Sequence, residues 1–201
     1  MTRAGGEALP DGTELVVLDL DGTLARLDID WAQLRKLANE RGRALLGAAA
    51  PVGVLATLRA LAARGHRAVA RELEAVVAER ERAAAARCEL NAALCAWLER
   101  EAAGLPLAVL TLNDAAAART ALARAGLEDR VVAVVGRGDA PPKPDPTGLF
   151  AIVDSVGSRP ERVLLIGDSE VDAECAFAAG ARFRWVDEIG CAWTCGDLLR
   201  A

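Results

Sequence analysis

The stretch Leu15-Val16-Val17-Leu18-Asp19-Leu20-Asp21-Gly22-Thr23-Leu24 opens on an uninterrupted apolar run and closes on two carboxylates and a Gly-Thr pair. Such a run, bounded by turn residues, reads as a strand buried on both faces, the kind found in parallel sheets. Asp19 and Asp21 then stand at the strand's carboxyl end. A buried carboxylate without a partner costs several kcal/mol. Two of them side by side call for a cation, and a hard cation such as Mg²⁺ takes oxygen ligands. Asp and Gly also favour an Asx-Gly turn for backbone reasons alone. The rest of the chain decides between the two.

Working outward, four further segments read as buried strands: 107–112, 131–135, 163–166 and 183–186. Helical patterns separate them at 115–125, closed by Gly126, at 146–156, and at 170–179, closed by Gly180. Strands alternating with helices predict an α/β fold, a doubly wound parallel sheet with right-handed crossovers. Ligands in such sheets bind beyond the carboxyl ends of the strands.

Between the first and second strands the chain shows no further strand pattern, only helical candidates at 31–41, 51–64 and a long segment at 66–100. In the last, Leu90, Leu94, Trp97 and Leu98 fall at helical spacing and predict packing on the sheet. Glu79-Arg80-Glu81-Arg82 reads as a solvated face. The expected organisation is a core of residues 1–24 and 89–201 with a helical insertion at 25–88 over the carboxylate edge.

Composition narrows the function. The net charge of −5 and a pI of 5.1 argue against nucleic acid or an anionic membrane as partner. Hydrophobic residues make up 53% of the 201, which suits a packed globule. The longest apolar stretch, 44–58, is broken by Gly47, Pro51 and Gly53 and falls short of the ~20 residues of a membrane span. No charged-then-apolar leader opens the chain. Five cysteines, an odd number, then read as reduced thiols of a cytoplasmic protein, Cys191 and Cys195 included. Only Lys36 and Lys143 among the 24 basic residues are lysine. A lysine kept in so Arg-rich a chain points to a particular need.

Each later strand ends in groups suited to one task. Thr111-Leu112-Asn113 places a hydroxyl and backbone N–H donors where an anion could sit. Pro141-Pro142-Lys143-Pro144-Asp145-Pro146 stiffens a loop that presents Lys143, with Asp145 and Pro146 reading as N-cap and N1 of a helix. Gly167-Asp168-Ser169-Glu170-Val171-Asp172 adds two carboxylates four residues apart, on one face of the following helix. Acidic groups in a first helical turn also serve as dipole partners. Gathered on one edge with Asp19 and Asp21, they would repel one another without a cation.

Together these residues suggest phosphoryl transfer. Asp19 is placed to attack phosphorus and form an aspartyl-phosphate. Mg²⁺ bridges the attacking carboxylate and a phosphate oxygen. Lys143 and the donors at Thr111 neutralise the equatorial oxygens. Asp21 protonates the leaving alcohol and then takes a proton from the attacking water.

On these motifs, in this order, the chain resembles the haloacid dehalogenase-like superfamily, in particular its phosphoglycolate phosphatase-like branch. The resemblance implies a Mg²⁺-dependent phosphatase acting on a small phosphorylated metabolite. It implies metal held by the Asp19 carboxylate, the Asp21 carbonyl and Asp168, with Asp172 nearby and a small helical cap that reads the leaving group. Leu112 is a departure, standing where many relatives carry a polar residue. A phosphomutase uses the same core residues, and a non-catalytic phospho-ligand module could retain the fold. A serine hydrolase on Ser169 lacks its base, since the single histidine, His66, lies in the insertion.

Overall fold

A computed structural model of the protein describes residues 8–190. Cys191 and Cys195 lie outside the described residues. The elements in chain order are β1 (Leu15–Leu18), β2 (Ala25–Arg26), α1 (Trp31–Leu46), α2 (Val54–Ala63), α3 (Arg67–Ala85), β3 (Glu89–Leu90) and α4 (Ala92–Glu101). They continue with β4 (Leu107–Leu110), α5 (Ala115–Ala125), β5 (Val131–Val135), α6 (Thr147–Val156), β6 (Val163–Gly167), α7 (Glu170–Ala179), β7 (Arg182–Trp185) and α8 (Val186–Ile189).

Five strands form one sheet in the order β5-β4-β1-β6-β7, and every pairing within it is parallel. The carboxylate-bearing strand is thus central. Its period of two divides its side chains between two cores. Val16 and Leu18 pack with Leu94, Trp97 and Ala121 of α4 and α5, whereas Leu15 and Val17 pack with Leu149, Ile152 and Cys175 of α6 and α7. All four strand residues are fully buried, as a two-sided parallel sheet requires.

The helices between the sheet strands end where the sequence places their stops: Gly126 and Gly180 both adopt the left-handed conformation that closes a helix. Several boundaries differ from expectation: α1 runs on to Leu46, α2 starts only at Val54, and β4 stops at Leu110, which leaves Thr111 and Leu112 to the loop. Pro146 is the N-cap of α6, which starts at Thr147, and Asp145 instead accepts from the Thr147 N–H at 2.9 Å. The 66–100 segment is not continuous. Asn91 breaks it by capping α4 through the Leu94 N–H at 3.1 Å, while its own side-chain amide donates to the Thr23 carbonyl at 3.1 Å. Satisfying a fully buried amide in this way outweighs one more helical turn.

The break also frees Glu89 and Leu90 to pair antiparallel with Arg26 and Ala25, a short ribbon that the residue pattern did not reveal. It stands where the chain leaves for α1–α3 and where it returns. Those three helices hold an apolar cluster of their own, with Leu34, Leu58, Leu61, Leu73 and Val77 at its centre. Among the described residues no single helix is long and apolar enough to cross a membrane; α1 and α2 reach that measure only as a pair bent by 56°.

Candidate active site

Asp19 follows directly on β1, its N–H donating to the Ile166 carbonyl of β6 at 3.0 Å. The chain then turns sharply, with the Gly22 N–H on the Ala25 carbonyl at 2.8 Å and Gly22 at φ +95°. A side chain at Gly22 would clash as well as strain the backbone, because its Cβ would sit 2.3 Å from Asp168 Oδ2. A Cβ on Gly167 would meet Asp172 at 2.5 Å. Both glycines therefore let acidic side chains crowd against the backbone.

Asp19, Asp168 and Asp172 each offer an oxygen within 4.8 Å of the others. Lys143 enters this group from the loop after β5. Its Nζ donates to Asp19 Oδ1 at 2.7 Å and to Asp172 Oδ1. Ser169 caps α7 and holds the other Asp172 oxygen through its hydroxyl at 2.6 Å. Asp21 stands apart from the three. Its Oδ1 accepts from the Leu27 N–H at 2.8 Å, which turns the carboxyl toward β2 and the chain beyond it.

Three carboxylates face one ammonium, so negative charge is in excess. Burial pushes Asp19 up to about 7, with Asp172 and Asp168 adding to the rise against Lys143. Burial likewise pushes Asp168 to about 6, helped by Asp172, and Asp21 to about 6, helped by Asp168 and Glu81. Lys143 is held above its ordinary value because Asp19 and Asp172 outweigh the desolvation that opposes its charge. Cys175 is driven to about 11 by burial and stays a thiol. An all-oxygen donor set with surplus negative charge suits a hard dication such as Mg²⁺.

A pH dependence follows for the metal-free protein. A carboxyl whose folded pKa is raised prefers to be protonated in the folded state, so its contribution is complete below ~4 and is lost as pH climbs through the folded value. Asp19, Asp21 and Asp168 act this way between about pH 4 and 7. The carboxyls held below their usual range, Glu14, Asp114 and Asp145, change only at lower pH. The chelator-treated protein is expected to melt lower at pH 8 than at pH 5.5, by roughly 2–4 °C per kcal/mol for a chain of this size. A thermal melt series measures it; a melting point rising over that window contradicts the charge excess.

The candidate phosphate loop follows β4. The Thr111 hydroxyl donates to Asn113 Oδ1 at 2.9 Å and accepts from the Asn113 N–H at 3.1 Å. Leu112 lines a cleft beside it, and its carbonyl accepts from Arg137 at 3.1 Å.

Glu81 is where the residue pattern misled. It is fully buried, with Glu79, Arg80 and Arg82 exposed around it. Arg137 binds it with both terminal nitrogens at 2.7 Å, and it also accepts from the Asn113 amide at 3.0 Å and the Asp114 N–H at 3.0 Å. The spacing holds the missed signal. Ala70, Leu73, Val77, Glu81 and Ala84 recur every three or four residues on the buried face of α3. Arg137 also reaches Glu74 at 2.6 Å, so α3 is clasped to the loops after β4 and β5.

A family model for haloacid dehalogenase-like hydrolases matches residues 13–180. A phosphoglycolate phosphatase of Cereibacter sphaeroides is 36% identical over 185 residues, covering 84% of this chain and 82% of that protein. Another, of Rhodospirillum rubrum, is 43% identical over 81 residues, a match spanning 39% of this chain and about a third, 33%, of that relative. Among solved structures, CbbY from Rhodobacter sphaeroides in complex with phosphate has a TM-score of 0.58 at 23% identity, over 86% of this chain and 85% of that one. That likeness is one of fold.

Proposed function

The chain belongs to the haloacid dehalogenase-like hydrolases and is a phosphatase, and from that premise we propose that it hydrolyses the phosphate monoester of a small metabolite through an aspartyl-phosphate on Asp19, with Mg²⁺ as cofactor. The observation that carries this reading is the meeting of Asp19, Asp168 and Asp172 at the end of the central strand, with the Lys143 ammonium bonded to Asp19 and Asp172. Phosphoglycolate, the ester in the relatives' names, is the first substrate to try.

In this reading Asp19 and Asp168 would hold Mg²⁺, with Asp172 beside them and the Asp21 carbonyl as a further oxygen donor. When bound, the ion would supply positive charge that offsets the repulsion between a carboxylate nucleophile and an anionic phosphate ester. Asp19 forms a bond to phosphorus as the ester oxygen leaves. Asp21, near pH 6 in its titration, can carry a proton for that oxygen and then accept one from water. That water displaces Asp19 from phosphorus and releases inorganic phosphate. Lys143 and the loop Thr111-Leu112-Asn113 bind the remaining oxygens, where electrostatics carry most of the rate. Residues 25–88, which include α1–α3, form the cap that excludes bulk water.

The test is p-nitrophenyl phosphate turnover with Mg²⁺ and with EDTA. Chelation is expected to lower the rate at least about a hundredfold, the equivalent of a few kcal/mol of charge stabilisation. Equal rates would remove the metal from the mechanism. Ligand binding with no turnover at all would leave a binding module in place of an enzyme.

A further inference from the structure

A cleft of about 490 Å³ opens between α2 and α3 on one side and the loops after β4 and β5 on the other, with Thr111 and Lys143 in its wall. Four arginines line the same cleft: Arg59 from α2, Arg67 and Arg71 from α3, and Arg137 from the loop after β5, which Glu74 and Glu81 hold. Arg59, Arg67 and Arg71 are exposed, and none of these three has a hydrogen-bond or ion-pair partner among the described residues. Glu74 is the one acidic residue in that wall, and Arg137 already engages it.

Arg67 and Arg71 are four residues apart on one helix face, a spacing at which like charges repel. Arg59 on the neighbouring helix adds a third positive charge. A chain of net charge −5 has acidic groups to spare, yet the one it places in this wall, Glu74, is engaged by Arg137. Around the arginines the surface is apolar, with Leu55, Leu58, Val135, Pro141 and Pro142 among the lining residues. The site therefore has two poles. The acidic pole beside Lys143 suits a cation and a phosphoryl group, while the outer pole lacks only an anion.

Resting on the phosphatase reading, we propose that the substrate's leaving group has an apolar body and ends in a second anion, a carboxylate or a phosphate, received by Arg59, Arg67 and Arg71. Cavities of a few hundred cubic ångströms enclose ligands well beyond a two-carbon acid. The apolar walls account for the body and the unpaired guanidinium groups for the far charge, since Arg suits both carboxylate and phosphate.

Four esters test this with the Mg²⁺-loaded protein: phenyl phosphate, 4-carboxyphenyl phosphate, 1,4-phenylene bisphosphate and phosphoglycolate. At least one doubly anionic aryl ester is expected to exceed phenyl phosphate in kcat/KM by about tenfold or more, mainly through KM, and the better of the two identifies the anion. The ratio should fall toward one in Arg59→Gln/Arg67→Gln/Arg71→Gln, invert in Arg67→Glu/Arg71→Glu and survive in Arg67→Lys/Arg71→Lys. A wild-type ratio near one overturns the proposal, as does a ratio that survives the triple Gln variant. Phosphoglycolate turned over better than either charged aryl ester overturns the apolar body. In each of those cases phenyl phosphate is still hydrolysed and the phosphatase reading stands. Hydrolysis of none of the four removes both.

Discussion

Asp19→Asn is expected to lower kcat by at least about a thousandfold while the protein keeps its fold. On the proposed mechanism the Asp19 carboxylate bonds to phosphorus, which an amide cannot do, and loss of a nucleophile typically costs several powers of ten. Stability should behave differently. The Asp19 carboxyl is pushed up to about 7 by burial and by its acidic neighbours, so its charge is a burden in the metal-free protein. Lys143 keeps Asp172 as a partner when that charge is removed. The expected melting point without metal is therefore equal to or above that of the wild type at pH 8. Phosphate release and thermal melts read the two quantities separately. Near-wild-type turnover would end the assignment of Asp19 as nucleophile, and a collapse in melting temperature would mean that the loss of activity reports on folding.

The largest stability effect is expected at Glu81. Its carboxylate accepts hydrogen bonds from Arg137, Asn113 and the Asp114 N–H with no exposure to water. Removing one partner of a buried ion pair leaves the other charge uncompensated, at a cost of about 3–5 kcal/mol. Glu81→Ala should thus lower the melting temperature by roughly 10 °C. Half-exposed Glu74 retains Arg137 from one side only. Replacing both partners, as in Glu81→Leu with Arg137→Met, should recover most of the loss, because well-packed apolar groups can substitute for a buried pair. Activity should stay low in the double variant, since the Asn113 amide next to Thr111 still lacks its acceptor. Denaturant unfolding with parallel kinetics distinguishes these outcomes, and an unchanged melting point in Glu81→Ala would show the clasp to be idle.

The three central strands of the sheet were legible because they are buried on both faces. Leu15–Leu18, Leu107–Leu110 and Val163–Gly167 are nearly unbroken apolar runs, which no amphipathic helix or half-exposed strand would produce. Once the strands are parallel, topology brings their carboxyl ends to one edge. The convergence of Asp19, Lys143, Asp168 and Asp172 is a consequence of strand order. Glu81 escaped for a physical reason. A charged residue on an otherwise apolar helix face is read as an interruption unless its partner is known, and Arg137 is 56 residues away. The break at Asn91 escaped likewise, since its side chain is satisfied by Thr23, 68 residues earlier in the chain. Local patterns report propensity and periodicity; they carry no record of which distant group completes a buried hydrogen bond.

The β2–β3 ribbon has a bearing on how such a molecule can be altered. Ala25 lies opposite Leu90 and Arg26 opposite Glu89, so the two ends of the helical excursion stand side by side. Bridging neighbouring ends takes only a short turn and little closure entropy. The excursion can accordingly be exchanged at these two positions for another that supplies Arg137 and the Asn113 amide with a partner in place of Glu81 and refills the space of Ala84 and Ala85.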